Sequence, residues 1–175
     1  AVAGYTAASK ADQLSVLINN AMMTAISNYV AQNFGAGNKE RICQGVRASL
    51  LQTELFNLVI CVSILFLRHP IVRLFLSSPT EEIYHYSDTY LSIIAPFYFL
   101  LGLLAVYRTA IQSMQNGKIP FTACIIELVM RIAATVGLSG LLGYTSVCIA
   151  SPLAWLGACA LLIPAYYKII KAVPF

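Results

Sequence analysis

Apolar residues fill most of the chain in long stretches, and short polar breaks separate them. A helix needs about 20 apolar residues to cross a bilayer, and four stretches come near that length. They are predicted as transmembrane helices at about 50–67, 90–111, 119–138 and 144–167. The apolar run from Ile71 to Ser78 is too short to cross, so it is predicted to lie at the membrane interface.

The region from Gln13 to Phe34 has the length of a fifth span but is much more polar. Its amide and hydroxyl side chains fall largely on one side of a helix. They are Gln13, Asn20, Thr24, Ser27 and Asn28. Such a helix can cross a membrane only if that side faces protein or water, and on this condition we predict a span at about 13–34.

The stretch VAQNFGAGN at 30–38 has two possible interpretations, a phosphate-binding loop or the end of a helix. A phosphate loop needs a preceding strand and a following Gly-Lys-Ser/Thr or third glycine, which this context lacks. We therefore predict a helix end, with Gly35 and Gly37 in the left-handed conformation and with Gln32 and Asn33 capping carbonyl groups.

Glycine and proline also mark the later turns. Residues 117–120 are predicted to separate the third and fourth spans, with Pro120 in a first helical turn. Residues 137–140 and Gly143 are predicted to form a short hairpin between the last two spans. The pattern as a whole predicts an all-α, polytopic membrane protein with five transmembrane helices and no separate soluble domain.

Composition supports a membrane protein and excludes several function classes. Of the 175 residues, 59% are apolar and 10% are charged, whereas a soluble domain has about 25% charged residues. The net charge of +4 is scattered, which excludes nucleic acid as a partner. The five cysteines occur singly, so we expect no metal site, no cofactor and no disulfide framework. No catalytic constellation lies within a span, so an enzyme is not expected.

Lys and Arg are divided unevenly between the two predicted sides of the membrane. One side carries Lys39, Arg41, Arg47, Lys118, Lys168 and Lys171, and the other carries Lys10, Arg68 and Arg73. By the positive-inside rule, loop 35–47 and the C-terminus are predicted to be cytoplasmic. The chain begins at Ala1 without an initiator Met or a signal peptide, so we expect it to be a piece of a longer protein.

Several sequence elements, in order, resemble the C-terminal half of the multidrug and toxic compound extrusion (MATE) transporters. They are VAQNFGAG at 30–37 followed by a basic loop, IVRLF at 71–75 with SSP at 77–79, YLSIIAPF at 90–97, IQSMQNGKIP at 111–120 and IASPLAW at 149–155. The resemblance covers nearly all of the chain. It implies that the chain holds helices eight to twelve, most of the C-terminal six-helix lobe, and that helices one to seven of the same protein are missing. It also implies that the fragment cannot transport alone.

The resemblance further implies an ion-coupled antiporter with alternating access in a bacterial plasma membrane, exporting small organic cations or amphipathic drugs. Sodium-coupled members carry an acid in the tenth helix, but the matching position falls near Leu101, and residues 91–107 contain no acid. The chain is therefore closer to the DinF-like branch, whose coupling Asp lies in the first helix. The coupling ion stays open between H⁺ and Na⁺, with the proton slightly favoured.

Polar and aromatic side chains inside the spans are the candidates for a substrate cavity. Asn20, Thr24, Ser27 and Asn28 either line the cavity, where they would hydrogen-bond varied cations, or join neighbouring helices. Tyr98 and Tyr107 either offer aromatic faces to a cation or pack between helices. Pro96 is either a bending point for alternating access or a static kink.

Glu127 and Arg131 are the charges inside the fourth span. An ionisable residue at membrane depth is a functional hypothesis by default, which makes Glu127 a candidate for proton coupling. Because Arg131 follows at the i+4 position, a self-neutralising structural pair is the favoured interpretation.

The sequence leaves three candidate functions. The leading one is an exporter of organic cations. A flippase for lipid-linked saccharides, from the same superfamily, would require several basic residues in its cavity, and only Arg108 and Arg131 are available. A non-transporting membrane assembly fragment is the third.

Overall fold

The computed structural model describes residues 2–75 and 80–172, and within them it leaves out the side chains of 2–12, 14, 15, 18, 68, 69 and 71–75. Apart from short turns, the described residues are helical. The elements are α1 (Val2–Gly35), α2 (Lys39–Phe75), α3 (Glu81–Ile94), a 3₁₀ turn (Ala95–Phe97), α4 (Tyr98–Ser113), α5 (Lys118–Leu142) and α6 (Tyr144–Ala172). The all-helical prediction is confirmed.

Helix α4 lies at the centre of the bundle, in contact with α1, α2 and α6. Its inner residues are buried, among them Leu104, Val106 and Ala110. The Cys159 thiol of α6 donates a hydrogen bond to the Leu100 carbonyl of α4 at 3.4 Å. Helix α5 packs mainly against α6 and only slightly against α4, so it forms one edge of the bundle.

Four helical segments among the described residues are long and apolar enough to cross a membrane: Lys39–Leu67, Glu81–Ser113, Lys118–Leu142 and Tyr144–Ala172. Helix α1 is long enough, but amide and hydroxyl residues lower its hydropathy, so the fifth span stays a prediction. Large apolar side chains are exposed along α2 and α5, where a soluble protein would carry charge. Examples are Leu55, Leu58, Phe66, Phe121, Leu128 and Val136.

Helix α2 is longer than the predicted span at both ends. It begins at Lys39, so most of the predicted cytoplasmic loop at 35–47 is the first part of a helix. At its other end α2 continues past Pro70 to Phe75. The predicted interfacial segment from Ile71 is therefore helical as far as Phe75, and its residues 76–78 lie outside the described residues, as do the SSP residues 77–79.

The third predicted span is an interrupted helix. It begins at Glu81, well before the predicted start, and the 3₁₀ turn Ala95–Phe97 separates α3 from α4. Pro96 lies inside this turn because proline has no backbone N–H to donate within an α-helix. The prediction of a helix irregularity at Pro96 is confirmed, while its part in a conformational change stays a prediction.

The predicted hairpin at residues 137–140 is wrong. Helix α5 continues through both of its glycines to Leu142, because a glycine within a helix costs only about 1 kcal/mol relative to alanine. Gly143 alone makes the turn, with φ of 52°. Pro120 lies in the first turn of α5, as predicted.

The turn from α1 into α2 is a Schellman motif. The Asn38 N–H donates to the Asn33 carbonyl at 2.9 Å, and the Gly37 N–H donates to the Phe34 carbonyl at 3.1 Å. Gly37 has φ of 68°, as predicted, whereas Gly35 is the last residue of the helix and has no positive φ. The Asn33 side-chain amide donates to the Tyr29 carbonyl at 2.8 Å, which lies inside the helix and not at its end, so the predicted capping by Asn33 is wrong; Gln32 is exposed.

Candidate functional site

An open depression of about 440 Å³ lies beside the second half of α1. Its lining contains all four of the polar α1 residues predicted for a cavity, together with Met23 of the same helix and Thr109 of α4. The full lining is Asn20, Met23, Thr24, Ser27, Asn28 and Thr109. Polar residues at helical spacing on α1 thus share one face, and α4 closes one side of the depression.

The polar residues of this depression have two different roles. The Ser27 hydroxyl is hydrogen-bonded to the Ser113 hydroxyl of α4 at 3.1 Å, so Ser27 joins two helices. The Thr24 hydroxyl donates to the Asn20 carbonyl of its own helix at 3.1 Å. The side chains of Asn20 and Asn28 are exposed in the depression, where their amide groups are available to a ligand.

The depression carries no charge among the residues that line it. Amide and hydroxyl groups both donate and accept hydrogen bonds, so they can bind ligands of several shapes. Thr109 was missed by the sequence analysis, although a threonine next to an arginine in an apolar span is a visible signal. Its position facing α1 depends on how α4 is rotated, which the sequence pattern alone does not give.

Tyr98 and Tyr107 do not line this depression. Tyr98 is 1% exposed, and its carbonyl accepts a hydrogen bond from Asn57 of α2 at 3.0 Å. The ring of Tyr107 packs against Tyr166 and Tyr167 of α6, with centroid distances of 5.2 and 6.5 Å. Both tyrosines are in helix contacts because α4 is the central helix, and their contact with a cationic substrate stays a prediction.

Glu127 forms its ion pair with Arg108 of α4, and the predicted pairing with Arg131 is wrong. The side chains of Arg108 and Glu127 are 23% and 16% exposed, whereas Arg131 is exposed. A partly buried guanidinium has lost more of its hydration than an exposed one, so it gains more from the carboxylate. The i+4 spacing within α5 made Arg131 a possible partner of Glu127, but the contact between α4 and α5 brings Arg108 to it instead.

A second polar cluster joins α1, α2 and α4, and the sequence analysis missed it. The Asn19 amide donates to the Asn57 side-chain oxygen at 3.1 Å, and the Asn57 amide donates to the Tyr98 carbonyl. Thr53 and Glu54 lie one turn before Asn57 on α2. The available signal was Glu54 itself, the only acid between Leu50 and Leu67.

Metal ligands do not cluster in the part of the chain that the structure describes, where no three His, Cys, Asp or Glu side chains are grouped to hold an ion. The five cysteines are free thiols. Hydrogen bonding is the chemistry available at both polar clusters. Glu54 in the second cluster, and Glu127 outside both, can also bind a proton.

Two curated proteins are similar to this chain. The FAD transporter of Shewanella oneidensis is 23% identical over 144 residues, which cover 82% of this chain and 31% of the relative. The probable multidrug resistance protein NorM of Thermotoga maritima is 26% identical over 128 residues, which cover 73% of this chain and 27% of the relative. The chain thus spans about a third of the length of either protein.

A solved structure shares the fold. It is the outward-facing conformation of a multidrug resistance MATE family transporter of the MOP superfamily, with a TM-score of 0.88 and 19% sequence identity. The match covers 98% of this chain and 39% of that one. The family model MatE matches residues 1–136, more than half of the chain. The chain therefore belongs to the MATE family, whose members are transporters and not enzymes.

Proposed function

We propose that this chain is part of the C-terminal lobe of an ion-coupled exporter of small organic cations or amphipathic drugs. The observation that carries the proposal is the uncharged polar depression between α1 and α4, in a chain of the MATE family. The protein would lie in a bacterial plasma membrane, with the α1–α2 turn and the C-terminus in the cytoplasm. Helices one to six would supply the facing lobe, and helix seven would complete this one.

The depression suits ligands that are held by hydrogen bonds and apolar contact rather than by a fixed ion pair. Asn20, Asn28 and Thr109 provide donors and acceptors, and Met23 provides an adaptable apolar surface. A lipid-linked saccharide flippase would need several basic residues at this surface. Of the two candidates, Arg108 is paired with Glu127, so this alternative has less support.

The similarity to an FAD transporter favours a second candidate substrate, a flavin dinucleotide. Its pyrophosphate would require cations, and none lines the depression of this lobe. A drug or organic cation therefore fits the described residues better. We further propose that the protein belongs to the DinF-like branch and is driven by protons, because α4 has no acid.

The test is export by the full-length protein in cells that lack their own efflux pumps. We expect ethidium or norfloxacin to leave these cells, and an ionophore that collapses the proton gradient to stop the export. Asn20→Leu and Asn28→Leu should each slow export, while Gln52→Leu, an exposed position on α2, should not. No gradient-dependent export of any cation would contradict the proposal, and export of FAD alone would establish the second candidate.

A further inference from the structure

Glu54 is an acid with one carboxylate oxygen enclosed by the protein. Its Oε1 atom is buried and has no hydrogen-bond partner among the described residues, and the same holds for the Thr53 hydroxyl oxygen. Glu54 lies inside the membrane-length part of α2, Lys39–Leu67. An ionised carboxylate in such a place loses its hydration and gains no donor in return, which is costly.

The enclosed oxygen lies against the backbone of α4 at Gly102. A methyl group built on Gly102 would come within 2.6 Å of Glu54 Oε1 and would also collide with the Asn57 amide. Only glycine leaves room for these side chains at the contact. Gly102 thus allows α4 to pack closely against Glu54 on α2.

Glu54 is also reachable from outside this contact. It lines a cavity of about 330 Å³ together with Asn57, Cys61, Pro96 and Phe99. The cavity lies at the 3₁₀ turn Ala95–Phe97, where the helix is interrupted. Interrupted helices are where many transporters place the groups that bind their coupling ions.

The neighbouring groups favour a proton over a metal cation. Hard cations take about six oxygen ligands. The Asn57 oxygen already accepts a hydrogen bond from Asn19, and the Tyr98 carbonyl accepts one from Asn57. Glu54 Oε1 and the Thr53 hydroxyl oxygen have no hydrogen-bond partner among the described residues, and one proton on the carboxylate removes its charge without the several ligands that a metal cation needs.

We propose that Glu54 is a proton-binding site, which takes up one proton at the contact between α2 and α4 and releases it when that contact opens. Uptake converts the carboxylate to a neutral carboxylic acid, so the buried charge is removed. The proposal rests on the proposed function as an exporter, and it places a coupling group in this lobe that is separate from Glu127.

Among the described residues, few titratable groups face Glu54. Cys61 of α2 and Tyr98 of α4 line the same cavity, and Cys159 of α6 lies within electrostatic range. Arg108 of α4 is also near, but its guanidinium is paired with Glu127. Glu54 is therefore the acid at this contact that is left to exchange a proton.

The experiment uses purified full-length protein in lipid vesicles and follows the infrared band of protonated carboxyl groups during a pH titration. We expect Glu54→Gln to remove one band that disappears as the pH rises, and Glu40→Gln, an exposed acid on the same helix, to leave that band in place. Because the neutral form is the one that fits the contact, the wild-type melting temperature should fall as the pH rises, and Glu54→Gln should lose this shift.

The same variants separate the site from the exporter function. Export by the wild type should accelerate in a proton gradient, and Glu54→Gln should lose that acceleration while it still binds ethidium. A wild type that exports nothing would refute the exporter, and the infrared band would still decide whether Glu54 binds a proton. An unchanged band and an unchanged pH dependence in Glu54→Gln would overturn the proposal.

Discussion

Gln115 occupies the left-handed backbone position at the end of α4, with φ of 60°. The hydrogen bonds around it repeat those of the α1–α2 turn: Asn116 N–H donates to the Ile111 carbonyl and Gln115 N–H to the Gln112 carbonyl. In both turns the following Asn side chain accepts a bond from the next helix, at Arg41 and at Ile119. The α1–α2 turn has glycine at the position where this turn has glutamine.

We predict that Gln115→Gly stabilises the protein by about 1 kcal/mol, since a side chain in the left-handed conformation costs about that much. The reverse change, Gly37→Ala, should destabilise it by about the same amount, although no atom lies within 4 Å of the added methyl group. Thermal unfolding of the detergent-purified protein measures both. A lower melting temperature for Gln115→Gly would contradict the prediction.

A second residue-scale prediction concerns Gly102. Gly102→Ala forces an extra methyl group against Glu54 and Asn57, and overpacking of this kind costs about 1–3 kcal/mol. Gly137→Ala in α5 is the matched control, because nothing lies within 4 Å of its added methyl group and alanine favours a helix by about 1 kcal/mol. In thermal unfolding, the melting temperature should fall for Gly102→Ala and rise for Gly137→Ala. Equal changes in melting temperature would show that the Gly102 contact is not tight.

At the scale of elements, the contact between α4 and α5 is small and contains one ion pair, Arg108–Glu127. Helix α5 otherwise depends on α6, to which it is joined through Gly143. The ion pair therefore fixes the position of α5 against the central helix.

We predict that Arg108→Gln or Glu127→Gln alone costs about 2–3 kcal/mol, because each leaves a partly buried charge without its partner. The double variant should cost less than the sum of the two, with a coupling energy of about 1–2 kcal/mol. Arg131→Gln should show no coupling to Glu127. Unfolding of the single and double variants in a double-mutant cycle measures these energies, and a coupling of Glu127 with Arg131 would restore the pairing expected from the sequence.

The helices themselves were largely predictable because long apolar stretches and a polar face on α1 are local properties. The end of α1 at Gly37 and the irregularity at Pro96 were predictable for the same reason, since the backbone limits of glycine and proline act locally. The partner of Glu127, the position of Thr109 and the enclosure of Glu54 depend on the rotation of one helix against another. Sequence spacing within a single helix carries no information on that rotation.

At the scale of the whole molecule, the described residues present an apolar surface on α5 and a polar one beside α1. The α5 surface around Leu128 is apolar, with 59% of that residue exposed, and suits lipid. The depression around Thr24 and Asn28 is polar and suits water or a substrate.

This difference predicts thiol labelling in a full-length protein from which the native cysteines have been removed. A cysteine introduced by Asn28→Cys should react with a water-soluble reagent roughly tenfold faster than one introduced by Leu128→Cys, because the reactive thiolate forms poorly in an apolar environment. An exported substrate should slow only the reaction at position 28. Equal labelling rates at both positions would mean that the depression is not filled with water.

The ion pair between α4 and α5 also has a consequence for biogenesis. A lone acid near the middle of a helix, as Glu127 is in α5, costs about 2.5–3.5 kcal/mol when the insertion machinery passes that helix into lipid. Helix α4 is synthesised with Arg108 before Glu127 exists. We therefore expect α5 to enter the membrane against α4 and not alone, so that the two helices are inserted as a hairpin with Arg108 and Glu127 already paired.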